Sequence, residues 1–246
     1  HTRYISVTGV QTCALPILTV AFLLLVGTAS AQWAGQTMYP TASFRGLSVV
    51  DAKTIWASGS LSTVVRSLDG GVKWDTFRLP GGLDLRDVEA FDANTAYVLA
   101  VGEGELSRIY KTTDGGRNWT EQFRNKDPKG FYDALACWDK NSCIAAGDPV
   151  NGKFTLVETT DGTNWKPIDT SKMPAAKDGE AAFAASGTCL ITQGAKATFL
   201  VTGGGDARVF RSTDRGHTWA VATTDMPKGA PSKGIFSIAM LDAKNG

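Results

Sequence analysis

The chain has 246 residues, 43% hydrophobic and 20% charged, and its 25 basic against 24 acidic residues leave a formal net charge of +1. That is globular composition with enough apolar residues for a sizeable core, and the balanced charge excludes long-range attraction to nucleic acid or an anionic membrane surface. Only two histidines are present, one of them residue 1, which removes Ser-His-Asp triads, Cys-His pairs, histidine-rich zinc sites and HExxH helices.

Residues 1–17 carry a single charge, Arg3, and a proline just before an apolar run. This is a poor n-region; the segment resembles translated sequencing-adapter read-through, with an unusual leader as the alternative, and it is set aside from fold reasoning together with Cys13. Residues 18–31 hold the run LTVAFLLLV and the small triplet Ala29-Ser30-Ala31, which reads as the h-region and cleavage site of a secretory signal peptide cut before Gln32. The run falls short of the ~20 apolar residues of a membrane span. The expectation is therefore an exported chain, periplasmic or extracellular, with no membrane insertion after cleavage and with residues 32–246 as the folded domain.

From residue 47 onward one unit recurs. It begins with an apolar strand, a turn and a second strand: LSVVDAKTIW (47–56), VEAFDANTAY (88–97), LACWDKNSCI (135–144) and, more weakly, AFAASGTCLI (182–191). A third strand follows in TVVRS (63–67), SRIYKT (107–112), FTLVET (154–159) and ARVFRS (207–212). It runs into a box that starts with Ser or Thr and ends in Trp, with Asp69 and Trp74, Asp114 and Trp119, Asp161 and Trp165 (one residue short), and Asp214 and Trp219. A fourth strand comes after each Trp. The box aspartates lie 45, 47 and 53 residues apart, a period that suits a four-stranded propeller blade. Alternating apolar residues bounded by Asp, Asn, Ser and Gly are strand and hairpin punctuation, and no comparable stretch has helical period. The predicted fold is all-β: a β-propeller of four-stranded blades. About four and a half blades are present, since residues 237–246 repeat the first strand and turn and then stop, so the sequence reads as truncated from a ring of six or seven.

The boxes resemble the Asp-box, also called the bacterial neuraminidase repeat. The resemblance implies a hairpin between the third and fourth strands, in which the Asp carboxylate accepts backbone N–H groups, Gly permits positive φ and Trp plugs the space between blades. The box aspartates are accordingly structural rather than catalytic.

In such a propeller the strand 1–2 and 3–4 turns share one face, and the 4–1 and 2–3 connections share the other. Counting back six residues from each strand 1–2 turn (Asp51, Asp92, Asp139, Ser186, Asp242) gives Arg45, Arg86, Asp133, Glu180 and Phe236. These positions should converge on the central mouth as a mixed-sign ring able to grip an ionic or sugar ligand, or else as solvated rim charges pairing with one another. Asp148, in the 2–3 connection 147–152 (GDPVNG), is a further ligand candidate, with turn chemistry as its alternative. Tyr132 sits beside Asp133. The stretch 203–206 (GGGD) reads as a strand-edge bend and Glu103 and Glu105 as solvated. Cys137 and Cys143 flank a hairpin and form either a disulfide or two buried thiols, while Cys189 has no evident partner. No metal or cofactor motif is found.

Overall, residues 40–246 resemble exported Asp-box propellers of the photosystem II stability/assembly-factor-like type, with segments such as GDPVNGKF and ARVFRSTDRGHTW carrying the likeness. The resemblance implies a non-enzymatic extracytoplasmic module binding protein or glycan on the central face. The alternative is a glycoside hydrolase of sialidase-like architecture using Asp133, Glu180 and Tyr132. That family's arginine triad is matched here only by Arg45 and Arg86, and no FRIP-like motif is present.

Overall fold

The computed structural model describes Gly35 and residues 41–246 apart from Ser186. The leader, the signal-peptide segment and Cys13 lie outside the described residues.

The first blade is built from β1 (Phe44–Val49), β2 (Ile55–Gly59), β3 (Thr63–Ser67) and β4 (Asp75–Arg78). The second contains β5 (Asp84–Ala90), β6 (Ala96–Val101), β7 (Arg108–Thr112) and β8 (Thr120–Arg124), and the third β9 (Tyr132–Asp139), β10 (Ser142–Val150), β11 (Lys153–Thr159) and β12 (Trp165–Pro167). After β13 (Glu180–Ala181) come β14 (Leu190–Gln193), β15 (Ala197–Val201), β16 (Gly203–Gly204), β17 (Arg208–Ser212), β18 (Ala220–Thr223) and β19 (Ala230–Gly234). Each of the first three blades is an antiparallel meander in chain order, and the fourth blade is β14-β15-β17-β18, beside a small sheet of β13, β16 and β19. The protein is a β-propeller whose four blades do not close into a ring among the described residues.

Each strand's burial follows its place in the blade. The second strands are covered on both faces by neighbouring blades, so β6 reads AYVLAV with every residue buried, the continuous apolar pattern of a doubly covered strand. The outer strands face water and are polar, as in DTFR of β4. Three cores fill the spaces between successive blades: one around Trp56, Val64 and Val98, one around Tyr97, Ile109 and Leu135, and one around Ile144, Leu200 and Phe210. Aromatic side chains also bond across the seams. Trp56 Nε1 donates to the Asp92 carbonyl (3.1 Å), the Tyr97 hydroxyl to that of Lys140 (2.9 Å), and Trp138 Nε1 to that of Ala197 (3.2 Å).

The boxes are the hairpins between third and fourth strands. In the first, Asp69 Oδ1 accepts the Lys73 N–H (2.8 Å), Ser67 Oγ accepts that of Gly71 (2.8 Å), and Trp74 Nε1 donates back to the Gly71 carbonyl (2.9 Å). The same bonds recur around Asp114 and Asp214. Asp114 is held down at about 2, chiefly by the Asn118 N–H. In the third box the missing residue costs the Trp bond: Asp161 still accepts from Thr163 and Asn164 (both 2.8 Å), but Trp165 Nε1 is buried without a partner.

The fourth blade departs from the expected register. In blades one and two the box turn donates to the strand 1–2 turn, from Gly70 N to the Lys53 carbonyl and from Gly115 N to that of Asn94; in blade four the equivalent bond runs from Arg215 N to Lys196. The strand 1–2 turn of blade four is therefore at residues 194–196, between paired Gln193 and Ala197, and not at Ser186. Residues 182–185 and 187–189 are the entry into the blade. After it, residues 241–245 rebuild the strand 1–2 turn once more, with Asp242 Oδ1 accepting from Lys244 (2.7 Å) and Asn245 (2.9 Å) as Asp51 does from Lys53 and Thr54. Cys137 and Cys143 are directly paired across β9 and β10 and joined by a disulfide. Cys189 is a buried free thiol, pushed up by burial.

Candidate functional site: carboxyl groups around the central channel

The innermost strands β1, β5 and β9 each carry a β-bulge near their start, at Arg45, Arg86 and Asp133, and β9 has a second irregularity at Trp138. An extra residue in one strand re-aims its side chain. The bulge falls at the same offset from the strand 1–2 turn in all three strands. Their environments differ. Arg45 is exposed. Arg86 is half-buried, with Nε on Asp84 Oδ2 (2.8 Å) and Nη1 on the Ala184 carbonyl (3.1 Å). Asp133 is only 2% exposed.

Glu180 does not share this offset, because the register of blade four differs from the expected one. It lies in β13, opposite Gly204 of β16, and its carboxylate is fully buried against the Arg208 guanidinium. Arg208 donates to it through both Nε and Nη2. The same carboxylate accepts from the Thr202 hydroxyl (2.5 Å) and the Lys177 N–H (2.8 Å), so its acceptor sites are filled internally. Phe236 is partly exposed and stacks on Phe183 with ring centroids 4.4 Å apart. Tyr132 is buried in the core between blades two and three, its ring edge-on to Phe123, and burial pushes its hydroxyl up to about 12. Glu105 pairs with Arg124 (3.3 Å) and Asp206 with Lys228 (2.6 Å).

Asp148 is not in a loop. Strand β10 runs to Val150, and the connection is the two-residue turn Asn151-Gly152, both with positive φ (53° and 77°), the twist-matched hairpin geometry. Asp148 occupies a second bulge, between Gly147 and Pro149. A Cβ on Gly147 would overlap the Phe131 carbonyl, so only glycine lets the two bulged strands approach. These neighbouring bulges on paired strands set the Asp133 and Asp148 carboxyl groups close enough for each to feel the other's charge. The Ala182 N–H donates to Asp148 Oδ1 (2.9 Å) and the Ala184 N–H to Asp133. Burial, with Asp148 adding, holds Asp133 well above the usual carboxylate range; burial likewise pushes Asp148 up to about 6.

Two further carboxyl groups were missed by the count from the turns. Asp87 follows the β5 bulge and accepts from the Leu135 N–H of blade three (2.7 Å) and from that of Val88 (2.9 Å). Burial pushes it up to about 7; burial, then the Asp87 charge, pushes Glu89 up to about 8. Both line a cavity of about 230 Å³ in the channel, walled by Leu47 and Ser48 of β1 and by Gly187 and Thr188 of the blade-four entry. Nothing in the sequence pattern separated these residues from the polar alternation of an ordinary strand. Among the described residues no group of three metal-ligating side chains is close enough to hold an ion.

The four-stranded blades define the class: a β-propeller module. No family model and no curated protein matches the chain. Among solved structures it is similar to the GH74 xyloglucanase from Xanthomonas campestris (TM-score 0.53, 17% identity, covering 74% of this chain and 30% of that one). It is similar also to a GH74 enzyme from Niastella koreensis (TM-score 0.50, 16% identity, 74% of this chain and 24% of that one). YCF48 bound to a D1 peptide is a third neighbour (TM-score 0.44, 15% identity, 78% and 74%). The chain spans under a third of the two GH74 enzymes, and at these identities the likeness is one of fold.

Proposed function

We propose that this propeller is a non-enzymatic, extracytoplasmic binding or assembly module whose ligand, a protein or glycan presenting carboxylates, docks at the channel mouth on Arg45 and Arg86. One observation carries this reading: the carboxyl groups that the hydrolase alternative would use are engaged within the protein, Glu180 by Arg208 and Asp133, buried, beside Asp148. A glycosidase needs one protonated and one ionised carboxyl group facing the scissile bond. What stays accessible is the exposed Arg45, the half-buried Arg86 and the apolar side chain of Leu47, 65% exposed. Guanidinium groups recognise carboxylates through paired donors, and neighbouring apolar side chains add contact area. No helix among the described residues is long and apolar enough to cross a membrane; export rests on the apolar run of residues 18–26 and the small triplet at 29–31.

The hydrolase alternative has one observation in its favour, since carboxyl groups raised towards neutrality, such as Asp148 at about 6, are what a general acid requires. Binding of the folded protein to arrays of acidic peptides and of uronate- or sialate-bearing glycans separates the outcomes. Arg45→Ser and Arg86→Ser should each weaken capture about tenfold or more, the loss of a charge-assisted contact. Capture unaffected by either substitution would remove the mouth as the docking site.

A further inference from the structure

The Asp133 and Asp148 pair has a consequence independent of any ligand. Asp133 Oδ2 is buried without a hydrogen-bond partner, and the neighbouring acidic group is the Asp148 carboxyl, presented by the adjacent bulge. Two carboxylates side by side repel unless a proton lies between them. The surroundings do not offset two negative charges. From β5, Arg86 faces the pair but is held by Asp84 and the Ala184 carbonyl, while Asp87 and Glu89 on that strand are acidic. From the blade-four entry comes the neutral Cys189 thiol, and on β13 and β17 Glu180 and Arg208 neutralise each other. The pair is also an anchor: its oxygens accept the amides of Ala182 and Ala184, in the segment whose next residues, Gly187 and Thr188, wall the channel cavity.

We propose that Asp133 and Asp148 hold one proton between them as an O–H···O bond and thereby clamp residues 182–184 against blade three, so that loss of this proton loosens the channel wall formed by the blade-four entry. The proton leaves to solvent as pH rises, and two like charges then press the bulged strands and the bound segment apart. The sign follows from both groups lying above the unfolded value of 3.8. Stability from the protonated pair is full below that value; the first proton leaves near the Asp148 value of about 6, and the shared one is lost as pH climbs beyond it, through the range of the more strongly raised Asp133. Release of the clamp also frees the Ala184 carbonyl that orients Arg86.

Hydrogen exchange of the full chain, followed by mass spectrometry from about pH 5 to about pH 10 and corrected for the intrinsic rate, tests this directly. Peptides covering 180–190 should lose protection with rising pH while those from β6 and β15 do not. In Asp133→Asn the amide supplies the missing donor to Asp148, so protection of 180–190 should persist at the upper pH. The variant should also melt roughly 3–8 °C above the wild type there, while matching it at low pH. Asp148→Asn should behave alike and provides the reading if Asp133→Asn folds poorly. Asp87→Asn should keep the pH-dependent loss at 180–190. Protection there that is independent of pH in the wild type, or an unchanged pH slope in both asparagine variants, would overturn the clamp.

Discussion

Arg208→Ala is expected to cost about 3–5 kcal/mol of folding stability, read from urea unfolding, because it leaves the Glu180 carboxylate charged and sealed from water. Both side chains are essentially closed to solvent, at 5% and 0% exposure, so neither screening nor a bridging water softens the loss. Arg208 also packs over the Phe210 ring at 4.7 Å and donates to the Ala175 carbonyl (2.8 Å), so three contacts disappear together. The double variant Glu180→Gln with Arg208→Met removes the orphaned charge and should recover most of the deficit. A glutamate held for acid or base chemistry would give another pattern. Its substitution would leave stability near the wild type, and Arg208→Ala would cost little.

Trp56→Ala should be comparably damaging, about 3–5 kcal/mol by the same measurement. The indole is fully buried at the seam between blades one and two. It meets Trp119 edge-on and Phe77 face-on, both at 6.4 Å, lies under the Arg66 guanidinium at 5.4 Å, and bonds to the Asp92 carbonyl. Trp74, which closes the first box from a partly exposed position, should lose much less on truncation, about 1 kcal/mol. Equal losses at the two positions would show that the boxes, rather than the seams, carry the stability of the propeller.

The repeat was legible because a box fixes side-chain types at fixed offsets. Ser or Thr, Asp, Gly and Trp each make a bond within one turn, and no long-range context is needed to recognise them. The shared offset of Arg45, Arg86 and Asp133 was legible for a related reason: turn and bulge are a constant distance apart along each inner strand. Blade four misled the count because its strand 1–2 turn, residues 194–196, carries Gly rather than Asp, while Ser186-Gly187 eight residues earlier imitates the expected punctuation. That one shift moved Glu180 onto a ring to which it does not belong. Its true partner, Arg208, is 28 residues away, and no local pattern announces a pairing made between a short edge strand and the third strand of a blade. Asp148 read as a loop residue for a similar reason, since Gly147, Pro149, Asn151 and Gly152 look like turn chemistry. The Gly and Pro instead belong to a bulge, and the turn is only two residues long. Asp87 and Glu89 became visible only once the bulge at Arg86 had rotated the strand and Leu135 of the next blade had supplied a donor.

The central claim is that the Asp133 and Glu180 carboxyl groups hold the propeller together and do no chemistry. Its most direct test is aglycone release by the folded chain from a panel of fluorogenic glycosides, sialosides included, beside Asp133→Asn and Glu180→Gln. The account predicts release at the uncatalysed rate for all three proteins on every substrate. Turnover by the wild type that either substitution abolishes, in a variant still folded, would contradict it and make this propeller a glycosidase.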